Sequence, residues 1–315
     1  TNTKFGFIKG RKLYYGISTI LILGGIASLA TKGLDYGVEF SGGYAFEIQF
    51  QEEANYEKIR SNLSNVFVED GQKLTPEVKK IENKFKAKVT TKFMINDTSS
   101  TAENTVTEKL KEGLIEWEGK YEILGSRKVG PVISGELIES SISAIIFALI
   151  IIFGYIAIRF RKWQFGLAAV AALFHDALIV LGIFSIFYGI LPFSLEIDQA
   201  FIAAILTVVG YSINDTVVVF DRVREYLSEN KRMETGSLID NALNSTLSRT
   251  INTSMTTAVV LLAIFLFGGE AIKGFTFALL VGVVVGTYSS LFIASPLVYD
   301  IAGKSIGNNT TTKKD

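Results

Sequence analysis

The chain contains no cysteine and a single histidine, His175. The first absence excludes disulfides and thiolate metal sites. The second leaves no His-x-x-x-His pair to seat a metal on one helix face, which argues against a zinc centre. An excess of one charge is also missing: 31 Lys and Arg balance 31 Asp and Glu. The zero net charge is itself uninformative, because it sums a basic inner face with a mixed outer domain, and no nucleic-acid partner is implied. Nor does a glycine-aspartate protease signature surround Asp215, which weighs against hydrolysis by an aspartyl pair within a membrane. Nothing in these residues asks for a cofactor, and the chain is read as a non-enzyme. It opens on Thr1 without methionine or a cleavable signal, as expected of a fragment or processed piece of something longer.

Long apolar runs are abundant instead. Hydrophobic residues make up 49% of 315 positions and gather near Leu13–Thr31, Leu137–Ile158, Phe165–Phe187, Ala200–Phe220, Thr250–Phe267 and Phe275–Val298. Each approaches the roughly 20 residues that carry a helix across about 30 Å of hydrocarbon. Six such runs exceed what one short chain could bury as core, so six transmembrane helices are predicted. Lys4, Lys9, Arg11 and Lys12 precede the first run, Arg159, Arg161 and Lys162 follow the second, and Arg222, Arg224, Lys231 and Arg232 follow the fourth. The tail adds Lys304, Lys313 and Lys314, whereas the opposite short loops hold only Lys273. Cationic loops mark the cytoplasmic side, so both termini are expected there, with residues 33–130 extracytoplasmic.

Between Gly33 and Gly130 the pattern changes. Tyr44, Phe46, Ile48 and Phe50 alternate with Ala45, Glu47 and Gln49, the period of a half-buried strand. Tyr56, Ile59, Leu63 and Phe67 follow at helical spacing, with Asp70-Gly71 expected to stop the helix. Strands near Glu77–Glu82 and Lys86–Ile95, a helix over Ala102–Trp117 and a strand at Tyr121–Val129 complete a β-α-β-β-α-β order. Pro76 and the lysines after it would suit an edge strand or none. The order is that of the ferredoxin-like split unit. The expected fold is thus a membrane all-α bundle of six helices with an inserted α+β ferredoxin-like extracytoplasmic domain. Its parts are 1–32 (N-terminus and first helix), 33–130 (the domain), 131–300 (helices two to six) and 301–315 (cytoplasmic tail).

Ionisable groups at bilayer depth cost at least about 2.5 to 3.5 kcal/mol each, so they need internal partners or a watered path. His175 and Asp176 fall near the middle of the third span, and Asp215, preceded by Asn214, near the inner end of the fourth. Arg249 falls at the cytoplasmic mouth of the fifth span as a counter-charge for a carboxylate. Ser, Thr and Asn residues around it, including Asn252 and Ser254, make that half-helix polar, as in a helix that lines a cavity or packs closely. Asp215 reads as an ion- or proton-coupling carboxylate, with interhelical hydrogen-bond glue as the plainer alternative. For the His175–Asp176 pair, relay and packing stand open; about 100° apart on the helix, the two cannot both face one partner. Asp221, Arg222, Arg224 and Glu225 read as a solvated helix end. Glu136 and Glu139 share one face at the outer end of the second span, at the interface. Gly24, Gly25, Gly282 and Gly286 read as sites of close helix approach.

Five separated motifs carry a family resemblance: Gly33-Leu-Asp-Tyr-Gly-Val-Glu-Phe-Ser-Gly-Gly, Val129-Gly-Pro, Phe174-His-Asp-Ala, Gly210-Tyr-Ser-Ile-Asn-Asp-Thr-Val-Val-Val-Phe-Asp-Arg-Val-Arg-Glu and Ser248-Arg-Thr-Ile-Asn-Thr-Ser. Together they resemble the SecF branch of the SecD/SecF family of bacterial protein-export membrane proteins, within the resistance-nodulation-division superfamily. The resemblance implies a pseudo-symmetric pairing of six-helix halves with SecD in the bacterial cytoplasmic membrane. It also implies protons flowing between the halves and extracytoplasmic domains that draw a translocating preprotein from the SecYEG translocon. On it, Asp215 is a proton-bearing carboxylate and Arg249 its cationic regulator, with His175 and Asp176 beside them and Asn214 and Asn252 as polar support. Asp35, Gly42 and Gly43 become a hinge or, equally, a simple turn. The chain would then be free SecF or the SecF half of a fused SecDF.

Overall fold

A computed structural model describes residues 5–81, 83–97, 99, 101–229, 233–269 and 272–302. The chain runs α1 (Phe7–Thr31), α2 (Val38–Ser41), β1 (Gly43–Phe50), α3 (Tyr56–Val66), β2 (Val68–Glu69), β3 (Gln72–Lys73), β4 (Glu77–Lys80), β5 (Lys86–Thr91), α4 (Ala102–Gly113) and β6 (Tyr121–Val129). It continues through α5 (Pro131–Phe160), α6 (Trp163–Phe187), α7 (Gln199–Glu229), α8 (Thr235–Phe267), α9 (Lys273–Ser289), a π-helical turn at Ser290–Ala294 and α10 (Ser295–Ala302). These residues form two compact units. One comprises Asp35–Ser143 and Tyr188–Ala200; the other takes in the described residues of Thr1–Leu34, Ala144–Phe187 and Phe201–Asp315.

The larger unit is helical. Six helices are long and apolar enough to cross a membrane, at Phe7–Thr31, Ile133–Phe160, Trp163–Phe187, Gln199–Glu229, Thr235–Phe267 and Lys273–Ala302. They fall where the apolar runs predicted, each longer at one or both ends because helices carry on past hydrocarbon into polar sequence. About half of the apolar stretch is buried for α6 (56%), α7 (44%) and the last helix (50%), against 11%, 6% and 11% for α1, α5 and α8. The first three therefore form the inside of the unit. Small residues let them close up. A Cβ added at Gly182 would lie 2.8 Å from the Gly25 Cα, one at Gly286 would lie 2.9 Å from the Ser212 Cβ, and one at Gly282 would collide with Val208. Gly24 meets nothing within 4 Å, so its expected role in close approach is corrected: it is one residue, and hence about 100°, off the α1–α6 seam.

At the basic end of this unit an aromatic cluster forms, with Phe160 stacked on Phe165 at 5.1 Å and Phe220 edge-on to both. Two side chains of α8 hold the start of α1: Asp240 accepts from the Ile8 amide (2.9 Å), and Asn244 bonds both the amide and the carbonyl of Phe5. Orphan amides at a helix start need such acceptors. Of the cations used to orient the chain, Lys4, Lys231, Arg232, Lys304, Lys313 and Lys314 lie outside the described residues, as does most of the 301–315 tail.

The smaller unit carries a four-stranded antiparallel sheet in the order β4-β5-β1-β6. Its apolar face supplies Tyr44, Phe46, Ile48, Phe50, Ala87 and Val89, and α3 and α4 cover it with Ile59, Leu63, Val106 and Leu110. The strand expected at Glu77–Glu82 exists as β4, an edge strand just after Pro76; Glu82 lies outside the described residues. Three boundaries differ from expectation. The helix expected to end at Asp70-Gly71 stops at Val66, because fully buried Phe67 leaves helical geometry to pack on Phe93. Asp70 and Gly71 instead take φ of 49° and 77° between β2 and β3, the positive pair that a two-residue hairpin turn demands. The strand expected over Lys86–Ile95 ends at Thr91, where the chain turns. The helix expected over Ala102–Trp117 ends at Gly113, whose missing side chain admits Leu63 and Val66, and a short 3-10 turn takes Ile115–Trp117.

Candidate functional site

Two polar centres lie inside the helical unit. His175 and Asp176 sit about 17 Å along α6 from Phe187, at 1.5 Å per residue. They diverge toward different helices, as adjacent helical positions must, yet bond one another: His175 Nδ1 lies 2.9 Å from Asp176 Oδ1. The other ring nitrogen lies 2.9 Å from Ser18 Oγ on α1, and Ser18 lies 3.1 Å from the Tyr288 hydroxyl on α9, which in turn reaches the Tyr14 carbonyl at 3.1 Å. Asp176, only 1% exposed, receives Ser212 of α7 and Ser289 of α9 on Oδ2, both at 2.8 Å. Four helices thus converge on one imidazole–carboxylate pair.

Asp215 forms the second centre. It lies about 24 Å along α7 from Gln199 and is 5% exposed. Ser254 of α8 donates to its Oδ2 at 3.1 Å, and Thr287 of α9 donates to Ser254 at 2.7 Å. Arg249 acts on Asp215 electrostatically, but among the described residues no ion pair within 4 Å joins them. Its side chain is exposed on this chain, as are Asn214 and Asn252. Arg249, Asn252, Thr253 and Thr256 follow one another at spacings of three, one and three along the exposed side of α8. Asp221 pairs with Arg159 at 2.9 Å and Arg222 with Glu225 at 2.6 Å, all partly exposed. Glu136 and Glu139 are exposed on α5.

Ser18, Thr287, Tyr288, Ser289 and Ser290 were not singled out by sequence. One signal marks the last four: Thr287-Tyr-Ser-Ser interrupts an apolar run six residues before Pro296. Proline cannot donate to the carbonyl four residues back and its ring crowds that carbonyl, and the helix answers with the π turn at Ser290–Ala294. Such turns re-aim side chains. Here Ser289 points to Asp176 while its neighbour Ser290 meets Thr216 of α7 at 2.8 Å.

In the smaller unit, Asp35 belongs to a clasp. The loop between α6 and α7 lies beside residues 35–37: the Ile197 amide donates to the Asp35 carbonyl (2.6 Å) and the Gly37 amide to the Ile197 carbonyl (2.9 Å). Lys79 of β4 pairs with Asp35, Glu77 and Glu196, and Lys88 of β5 with Glu196. Burial pushes the Asp35 carboxyl up from its ordinary range, with Lys79 opposing. Burial alone would lower Lys79, but Asp35, Glu196 and Glu77 outweigh it and raise the ammonium above the usual lysine value. Burial thus outweighs pairing at Asp35, whereas three carboxylates around one ammonium outweigh burial at Lys79. Gly42 and Gly43 turn the chain from α2 into β1 at φ of 67° and 136°. A Cβ on either would meet Ile95 (2.9 Å) or the Thr91 carbonyl (2.6 Å), so both conformation and space require glycine.

Residues 27–54, which include Gly42 and Gly43, match the SecD/SecF GG motif. Residues 109–304, which hold both polar centres' α6, α7, α8 and α9, match the family described as protein export membrane protein SecD/SecF, C-terminal. The chain belongs to the SecD/SecF protein-export family. Among SecD/SecF relatives, the protein translocase subunit SecF of Rhodothermus marinus is 44% identical over 305 residues, covering 96% of this chain and 95% of the relative. That of Haemophilus influenzae is 40% identical, covering 94% and 85%. A solved family structure, SecDF of Thermus thermophilus, titled a translocon-associated membrane protein, aligns with a TM-score of 0.80 at 30% identity over 95% of this chain. SecDF in a super-membrane-facing form aligns at 0.67 and 31% over 97%. This SecD/SecF chain spans 39% and 40% of those two solved chains, about two-fifths of their length.

Proposed function

We propose that this chain is the SecF half of a SecD–SecF assembly in the bacterial cytoplasmic membrane. There it assists preprotein translocation through the SecYEG translocon, driven by protons. Both termini are cytoplasmic and residues 33–130 extracytoplasmic in this reading, and the sheet order with two covering helices supports a ferredoxin-like domain. The chain performs no covalent chemistry in this role.

The observation that carries the reading is a buried Asp215 on α7 with the exposed-face Arg249 on the adjoining α8, no ion pair within 4 Å joining them among the described residues. Asp215 is buried at bilayer depth with one hydroxyl donor, Ser254 of α8, so a single hydrogen bond answers the cost of burying its charge. Arg249 stands on an exposed helix face beside Asn252, where lipid would be a poor neighbour and a second helical half a good one. Protonation of Asp215 removes its attraction to Arg249 and frees that guanidinium for acceptors on the other half, so two packings of the bundle exchange stability. One proton crossing 100 mV releases about 2.3 kcal/mol, enough to shift a two-state equilibrium more than tenfold.

A static scaffold, with the same charges as interfacial glue, is the competing reading, favoured by the full satisfaction of Asp176. The two separate in proteoliposomes holding the translocon, SecD and this chain. Under an imposed proton gradient, Asp215→Asn is expected to assemble normally and lose the gradient-dependent part of translocation. Assembly with that part intact overturns proton coupling and leaves the scaffold.

A further inference from the structure

The hydroxyls around His175 permit a proton count that bears on which group of this centre titrates. Asp176 Oδ2 is met by two hydroxyls at 2.8 Å, Ser212 from α7 and Ser289 from α9. Ser289 also lies 3.1 Å from the Gly286 carbonyl, the longer of its two choices. Two donors occupy Oδ2, so the one proton between the residues lies along the Oδ1–Nδ1 contact; with Asp176 ionised, as the two added donors favour, His175 carries it on Nδ1. That leaves Nε2, 2.9 Å from Ser18 Oγ, free to be either an acceptor or a donor.

Both choices can be satisfied by the same heavy atoms. With Nε2 unprotonated, Ser18 donates to it and the Tyr288 hydroxyl donates to Ser18, across 3.1 Å. With Nε2 protonated, the imidazolium donates to Ser18, Ser18 donates to Tyr288, and Tyr288 turns its proton to the Tyr14 carbonyl, also at 3.1 Å. No atom moves except hydroxyl hydrogens. The first arrangement has a net charge of −1 buried near mid-membrane; the second pairs imidazolium with carboxylate and is neutral. Exchange of one proton thus switches the centre between a charged and a neutral state without leaving a polar atom unpaired, the condition that makes buried networks tolerable. The titratable side chains facing the ring are Asp176 on α6 and Tyr288 on α9; α1 presents Ser18 to the ring and α7 presents Ser212 to Asp176, and neither serine titrates.

We propose that His175 is a one-proton binding site in its own right, with Asp176 a permanently ionised positioning residue. Ser18 and Tyr288 act as a reversible hydroxyl relay that matches either charge state of the ring. This deepens the proton-coupled reading of the bundle, and ties the two centres together through α7, where Ser212 precedes Asp215 by one helical turn. Its test reads the ring itself and stands apart from translocation.

His175 is the only histidine, so ring-15N-histidine and 13C-aspartate labels on the full chain, co-reconstituted with unlabelled SecD in lipid bilayers, give one imidazole signal by solid-state NMR. At alkaline pH one pyrrole-type and one pyridine-type nitrogen are expected, the protonated one coupling to Asp176. On acidification both become pyrrole-type while the Asp176 carboxyl carbon keeps its ionised position. Tyr288→Phe, which preserves the ring, is expected to shift Nε2 in both states and leave Nδ1 in place, at an unchanged thermal midpoint. Ser18→Ala should abolish that sensitivity to Tyr288→Phe. A ring that never changes state between pH 5 and 9 makes the centre static packing and overturns the proposal. So does a neutral ring protonated on Nε2 beside a protonated Asp176, and so does an Nε2 signal indifferent to Tyr288→Phe. Asp215→Asn that abolishes gradient-driven translocation while the His175 titration persists, or the reverse, tells the failure of one reading from that of the other.

Discussion

Replacing Glu196 by Gln keeps the size of the side chain and removes its charge. Lys88, its side chain 20% exposed, then loses the only carboxylate it pairs with among the described residues, while Lys79 keeps Asp35 and Glu77. The pair is too buried for the 0 to 1 kcal/mol of an exposed ion pair and too wet for the 3 to 5 of a fully buried one. Hydrogen bonds to charged groups are worth about 1.5 to 3 kcal/mol. That loss falls on the backbone bonds held beneath the clasp, Ile197 amide to Asp35 carbonyl and Gly37 amide to Ile197 carbonyl. At about 1.4 kcal/mol per decade, both amides should open roughly 10- to 150-fold more often. Hydrogen exchange on the full chain in lipid nanodiscs measures this, with Ile48 and Val89 in the sheet centre as internal controls. A double-mutant cycle with Lys88→Met should recover most of the effect as coupling. Acceleration below about 3-fold at Ile197, or equal acceleration in the controls, would refute the idea that these charges fasten the loop between α6 and α7 to the sheet.

Two further outcomes are expected. Gly182→Ala places a Cβ 2.8 Å from the Gly25 Cα, and since both atoms belong to backbone the helices must part. The cost should be about 1 to 3 kcal/mol, seen as a lowered thermal midpoint, whereas Gly24→Ala, with nothing within 4 Å, should leave it unchanged. The raised pKa of Lys79 sets a sign: its contribution is fully present below the ordinary lysine value of 10.5 and is lost as pH rises through the raised one. At pH 8 its amine should therefore acylate several-fold more slowly than that of exposed Lys111, and Asp35→Asn should narrow the gap; equal rates in quantitative mass spectrometry would contradict the ion cluster.

Much of this protein follows from local pattern. Six apolar runs need no partner to declare themselves as helices, because a helix satisfies its own backbone and only then asks where its side chains go. The alternation from Tyr44 to Phe50 was legible for the same reason, since period two is a property of one strand alone. Asp70-Gly71 shows the limit of such reading. The dipeptide marks a reversal, but whether it stops a helix or turns a hairpin depended on Phe67 finding Phe93, a contact 26 residues away along the chain.

The polar centres divide along the same line. Sequence alone marks Asp176, Asp215, His175 and Arg249, because charge at bilayer depth is costly wherever it points. Which hydroxyls answer it was decided only by the packing of α1, α6, α7, α8 and α9. Ser18 and Tyr288 lie 270 residues apart, and a serine in a span looks the same in sequence whether it bonds its own helix or a distant carboxylate. Direction around a helix comes from sequence; the partner across the gap is set by close approach, which small residues and one π turn permit and which no single segment encodes.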